Sequence, residues 1–236
     1  MTAPLEGQIA LVTGASQGIG AAIAERLAAA GAHVIITARG SDALEAVEDR
    51  IHDAGGSATI APMDLRDAES IGRLAQAVAE RWGKLDILVL NAAMLGTLSP
   101  LNHADAREFS DVFMLNVSAQ QAMIAAFDPL LRKSDAPRLI GITSSVATTP
   151  RAFWGVYGAS KAAFEVMLGS YAEETRNVGR ISVAIIDPGA TATKMRAKAY
   201  PGEDPASLKS PDVVAARVTA LLSQGYATGH RERIEG

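Results

Sequence analysis

The stretch VTGASQGIGAAIAERLAAAG, residues 12–31, joins two patterns that belong to different secondary structures. The run leading into it, QIALVT at residues 8–13, is short, apolar and rich in β-branched residues, as in a strand buried on both faces. From Ile19 to Ala30 the apolar residues recur at helical spacing. Between the two stand Gly14, Gly18 and Gly20. Glycine there permits a tight turn and lets backbone N–H groups approach a phosphate, and the helix N-terminus adds its positive dipole end. GxxxGxG on the first strand–helix turn therefore predicts a dinucleotide site, with Ser16, Gln17 and Ile19 on the same turn.

The same alternation continues outward. Strands are predicted at 8–13, 33–38, 57–62, 85–90, 138–143 and 181–187, with TGHRERI (228–234) as a last one. Helical patterns fill 19–30, 42–54, 67–82, 107–132, 158–177 and 211–223. Such an order predicts an α/β fold: a single doubly wound, Rossmann-type parallel sheet with helices on both faces. No linker or repeat interrupts it, so residues 1–236 read as one domain. The longest Pro/Gly/polar stretch, 188–211, follows a strand end, where open α/β sheets place their ligand crevice. It reads as a substrate lid or as an irregular surface loop.

Composition narrows the function classes. The chain of 236 residues is 48% hydrophobic with net charge −4, and a pI near 5.6 argues against nucleic acid or an anionic membrane as partner. Cysteine is absent and the four histidines are scattered, so no metal site is expected. The N-terminus lacks a signal-peptide pattern and no apolar run reaches membrane-spanning length. A cytoplasmic location is the expectation.

The end of the second predicted strand, IITARGSD at 35–42, discriminates between dinucleotides. NAD sites carry an acid there for the ribose 2′-OH, whereas an arginine accommodates a 2′-phosphate. Ala38 stands in the acid's place and Arg39 follows, which favours NADP(H) over NAD(H). Asp42 reads as a helix N-cap. Further on, VYGASKAAF at 156–164 sets Tyr157 and Lys161 one helical turn apart, on one face. An ammonium beside a phenol lowers its pKa from about 10 and fits it for proton exchange with a carbonyl or alcohol oxygen. Ser144 and Ser145, in ITSSV at a strand end, offer a hydroxyl for the same oxygen, and only one should face it because adjacent residues point opposite ways.

Taken in order, TGASQGIG (13–20), MDLRD (63–67), LNAA (90–93), MLNVS (114–118), YGASK (157–161) and DPGATATKM (187–195) make the chain resemble the short-chain dehydrogenases/reductases, among them the bacterial 3-oxoacyl-carrier-protein reductases. The resemblance spans essentially the whole chain. It implies that Tyr157 is the catalytic acid/base and that Lys161 lowers its pKa and holds the nicotinamide ribose. It implies that Asn116 holds a water of a proton relay and that a serine orients the substrate oxygen. Asp64 and Leu65 would lie at the adenine, Asn91 and Ala92 near the adenosine ribose, and Pro188, Gly189, Thr191 and Thr193 along the nicotinamide end.

Three departures accompany it. The family's thirteen-residue spacing before the tyrosine points to Ser144, whereas matching the strand pattern RLIGITSSVA points to Ser145, which is preferred here with Ser144 as the alternative. LNAA lacks the family's first asparagine and its glycine. The C-terminus reads GHRERIEG where the family has an Asp-Gly-Gly segment.

The expected function is hydride transfer between NADP(H) and a small carbonyl or alcohol substrate, an acyl thioester being one candidate. The alternative is a catalytically silent cofactor-binding regulator or scaffold. The resemblance also implies a homodimer or homotetramer. Several readings stay open: Asn116 as relay or structural polar residue, Phe153 and Trp154 as substrate wall or core, and Met195, Tyr200 and Leu208 as lid or satellite cluster.

Overall fold

The computed structural model describes residues 3–178 and 180–235. Seven strands form one sheet: β1 (Ile9–Thr13), β2 (His33–Ala38), β3 (Ser57–Pro62), β4 (Ile87–Leu90), β5 (Arg138–Ile142), β6 (Ser182–Asp187) and β7 (His230–Arg233). Their order is β3-β2-β1-β4-β5-β6-β7, and every pairing is parallel. The order reverses between β1 and β4, which opens a crevice at the strands' C-terminal ends.

Eight α-helices connect the strands among the described residues. They are α1 (Gly18–Ala29), α2 (Ser41–Asp53), α3 (Ala68–Trp82), α4 (Ala106–Phe113), α5 (Ala119–Leu131), α6 (Gly155–Val178), α7 (Lys194–Ala199) and α8 (Pro211–Gln224). Strand residues alternate between two cores. Val12, Ile36, Val89, Ile140 and Ile186 face one way, onto α1, α2 and α8. Their neighbours Leu11, Ile35, Leu88, Leu139 and Ile185 face the other, onto α3, α5 and α6. Burial on both faces explains why these strands read as continuous apolar runs. None of the described helices is long and apolar enough to cross a membrane.

The elements match the predicted ones with physical exceptions. β4 begins two residues late, where the Asp86 carboxylate accepts the Ile9 N–H at 2.9 Å. The helix expected over 107–132 is α4 and α5 joined through a π-helical segment, Met114–Ser118. α6 starts at Gly155, because the Trp154 carbonyl already accepts the Gly158 N–H at 2.7 Å. Asp42 is not an N-cap: Gly40 holds that position and Asp42 lies in the first turn of α2. The 188–211 stretch is partly ordered into α7, which Thr193 caps by accepting the Arg196 N–H at 3.1 Å.

One glycine the sequence reading passed over sets the seat of α6. A Cβ on Gly141, in β5, would strike Leu168 and lie 3.0 Å from the Phe164 ring. Both are buried side chains of α6. Gly141→Val is expected to destabilise by about 1–3 kcal/mol through overpacking, seen as a thermal midpoint lower by roughly 3 °C or more. An unchanged midpoint in a calorimetric melt would show that α6 can retreat.

Candidate active site

A cleft of about 890 Å³ runs along the C-terminal ends of the strands, across the point where the strand order reverses. The glycine turn forms one wall. Gly14 and Gly18 have φ of +64° and +58°, in the left-handed region that L side chains avoid. Gly14, Ser16, Gln17, Gly18 and Ile19 line the cleft. Gly20 does not; a Cβ there would strike the Gly14 carbonyl, so glycine is needed for the start of α1 to pack onto the turn. The N-terminus of α1 has no side-chain cap and no acid in its first turn. Its N–H groups and dipole end therefore stay available to an anion.

A residue the sequence reading missed holds this wall to the next strand. Thr13 Oγ1 donates to the Val89 carbonyl (3.2 Å) and accepts from the N–H groups of Asn91 (2.9 Å) and Ala92 (3.0 Å). Asn91 Nδ2 returns bonds to the carbonyls of Thr13 (2.9 Å) and Gly14 (3.2 Å). The ends of β1 and β4 are thus laced together without the asparagine and glycine that LNAA lacks. A lone threonine at a strand end carries no signal of this in sequence.

The far end of the cleft is cationic. Arg39 lines it, exposed, and forms no ion pair among the described residues. Asp64 and Leu65 line it too. Both oxygens of Asp64 are engaged by Arg66, with Nη2···Oδ2 2.7 Å and the Arg66 N–H at 3.0 Å from Oδ1. These bonds hold the Asp64 carboxyl below the usual carboxylate range. Arg66, also missed, leaves Asp64 less free for a ligand than the motif implied.

Tyr157 and Lys161 come from the first turns of α6 and both face the near end. Tyr157 is buried, its hydroxyl 3.9 Å from the Met195 sulfur. Lys161 is buried as well, and its Nζ donates to the Ile142 carbonyl at 2.8 Å. Burial lowers the Lys161 ammonium to about 8, against an opposing pull from Glu165. The expected lowering of the Tyr157 phenol is not produced by the protein's own groups. Burial pushes it up, Asp187 adds to this, and Lys161 turns toward Ile142 with its Nζ 6.0 Å from the ring centroid.

Ser144 lines the cleft and Ser145 does not. Ser144 keeps extended backbone (φ −161°, ψ 149°) beyond the end of β5, whereas Ser145 opens a 3₁₀ turn, Ser145–Ala147. The preference for Ser145 is therefore corrected on position: the chain leaves the strand direction one residue earlier than strand matching assumed. Asn116, in the π segment, is also off the wall. Its Oδ1 accepts from Met94 N (2.9 Å), and its Nδ2 donates to Met94 O and Ser160 Oγ, both at 3.0 Å. Both amide hydrogens are thus spent bracing the β4 loop against α6. Pro188, Gly189, Thr191 and Thr193 line the cleft after β6. Trp154, Met195, Tyr200 and Leu208 line it as well, and Trp154 and Met195 pack on a small cluster around Tyr157. Phe153 does not line it; it is 58% exposed with φ +73°.

A family model described as short chain dehydrogenase matches residues 8–204. The chain belongs to the short-chain dehydrogenase family. It is 40% identical over 210 residues to the uncharacterized oxidoreductase YciK of Escherichia coli K12, covering 88% of this chain and 82% of that one. It is 35% identical over 190 residues to the 3-oxoacyl-[acyl-carrier-protein] reductase FabG of the same organism, covering 80% and 76%. Among solved structures, a short chain dehydrogenase of Shigella flexneri 2a strain 301 complexed with NADP superposes with a TM-score of 0.92 at 36% identity, covering the whole of both chains. This short-chain dehydrogenase is accordingly an oxidoreductase.

A buried ammonium lowered to about 8 has a consequence for folding. The folded chain binds that proton less tightly than the unfolded chain, whose lysine titrates near 10.5. Stability contributed at this position is therefore reduced below pH 8 and recovers as pH rises toward 10.5. The unfolding free energy of the wild type relative to Lys161→Met is expected to increase over that range by on the order of 2–3 kcal/mol. Urea denaturation of both proteins across the range checks it; a constant difference would refute the lowered ammonium.

Proposed function

We propose that this enzyme transfers a hydride between NADP(H) and a small carbonyl or alcohol substrate, with Tyr157 as the acid/base. The observation that carries the reading is the convergence of Tyr157, Lys161 and Ser144 on one cleft whose other end carries Arg39. The NADP complex of the Shigella relative points the same way.

The residues present fit the dinucleotide. The glycine turn is a cradle that side chains would fill, and the uncapped start of α1 suits a pyrophosphate. Arg39 suits a 2′-phosphate. Asn91 and Ala92 would flank the adenosine ribose, and Gly189, Thr191 and Thr193 the nicotinamide. When bound, the nicotinamide supplies or accepts the hydride.

The protein's part is proton delivery and orientation. Ser144 Oγ holds the substrate oxygen. Tyr157, kept protonated at neutral pH by its burial, donates a proton to that oxygen as the carbon is reduced. Lys161, charged below about pH 8, stabilises the phenolate that results. In oxidation the same groups act in reverse. Met195 and Trp154 shield the phenol from water. Asn116 braces α6 through Ser160, and a relay water has only the second lone pair of its Oδ1 as a side-chain contact. Nothing observed favours a catalytically silent scaffold. A homodimer or homotetramer belongs to the same reading, supported by the exposed apolar side chains Phe109, Met114 and Val166 on α4, the π segment and α6.

Tyr157→Phe is expected to lose about 10²–10⁴-fold in turnover of a ketone panel with NADPH while binding NADPH as the wild type does. Ser144→Ala should cost turnover heavily and Ser145→Ala little. Full activity in Tyr157→Phe would sink the mechanism.

Nicotinamide fluorescence titrations test the dinucleotide. Arg39→Ala should weaken NADPH binding by roughly 10–100-fold, the worth of a charge-assisted bond, and leave NADH binding unchanged. Equal losses for both would remove the 2′-phosphate role from Arg39.

A further inference from the structure

Glu165 lies one helical turn beyond Lys161 on α6 and is only 7% exposed. A buried carboxylate is unfavourable unless paired and hydrogen-bonded. Its oxygens take partners from two different strands. Oε1 accepts from Thr143 Oγ1 at 2.7 Å, just past the end of β5. Oε2 meets Arg231 Nη1 of β7 at 2.5 Å. Thr143 stands between Ile142, whose carbonyl receives Lys161 Nζ, and Ser144, which lines the cleft. Three consecutive residues thus serve the lysine, the buried carboxylate and the substrate in turn. Arg231 belongs to the C-terminal segment GHRERIEG, where the sequence leaves the family pattern.

We propose that Glu165 is a positioning residue of the active site: it clamps the end of β5 to the catalytic helix, so that Ser144, Tyr157 and Lys161 keep one geometry, and through Arg231 it makes β7 part of that clamp. The proposal rests on the reaction proposed above. Charge acts alongside geometry. The charged groups facing Glu165 are Lys161 on its own helix and Arg231 on β7, while its β5 partner Thr143 is neutral. Asp187 at the end of β6 and Arg233 on β7, 3.9 Å apart, are the other charges at this edge. The Glu165 carboxylate favours the Lys161 ammonium against its burial. A purely structural clamp would leave the titration of Lys161 unmoved.

The test is an NMR titration of the protein labelled with ¹³Cε-lysine, the Lys161 signal assigned by its loss in Lys161→Met. In Glu165→Gln, which keeps the size of the side chain and can still accept from Thr143, Lys161 should titrate lower by roughly one pH unit. In Arg231→Met, a change at a half-exposed position that leaves Glu165 in place, it should titrate higher, because the carboxylate is no longer shared. Opposite shifts support the proposal; unmoved midpoints in both variants overturn it. In parallel, reduction of ethyl 3-oxobutanoate by NADPH should show kcat lowered about tenfold in Glu165→Gln with unchanged NADPH binding. Wild-type kcat in that variant also overturns the positioning role. Tyr157→Phe in the same assay separates the two ideas: if it stays active, the reaction assigned to the site fails; if it is inactive while Glu165→Gln keeps both the wild-type kcat and the Lys161 midpoint, only the positioning role of Glu165 fails.

Discussion

The hydrogen bond from Lys161 Nζ to the Ile142 carbonyl is the contact on which the site depends. It joins α6 to the strand end that carries Ser144, and it does so with a cation taken out of water. Such a group is tolerated only where its donors are satisfied and a counter-charge is near. The carbonyl is brought by β5 through the tertiary fold, and the carboxylate of Glu165 comes from the next turn of α6 itself. Gly141, one residue before Ile142, lets Phe164 and Leu168 press against the strand and brings the helix close enough for the bond to form.

The other end of the cleft is governed by backbone approach. Gly14 and Gly20 leave no room for side chains, so β1, the first turn of α1 and the end of β4 meet at backbone distance. Thr13 and Asn91 then bond across the gap. The wall presents N–H groups rather than side chains, which suits a phosphate and discriminates little between dinucleotides. Arg39 stands just past the end of β2, where a parallel sheet places it beyond the glycine turn.

The end of the cleft around Tyr157 is closed by aromatic and sulfur surface. Trp154 meets Tyr157 edge-on with ring centroids 5.9 Å apart and lies tilted against Tyr200 at 5.7 Å, and Arg196 covers Tyr200 at 3.8 Å while paired with Glu203. The basic residues of the 188–211 stretch are thereby partly neutralised. Arg196 is bound to Glu203, and Lys198 donates to the Gly96 carbonyl at 3.2 Å.

The sequence by itself determined the sheet, the glycine turn, Arg39 and the Tyr157–Lys161 pair. Each is local: a period of two or of 3.6, a glycine that only a left-handed turn explains, or two side chains one helical turn apart. What only the tertiary structure decided depends on distant parts of the chain meeting. Ser144 rather than Ser145 faces the cleft because β5 ends where it does against β6. Thr13 and Glu165 gained roles from partners that other strands brought to them. Burial and the nearby Asp187, which no spacing records, push the phenol of Tyr157 up, while Lys161 turns its ammonium to the Ile142 carbonyl.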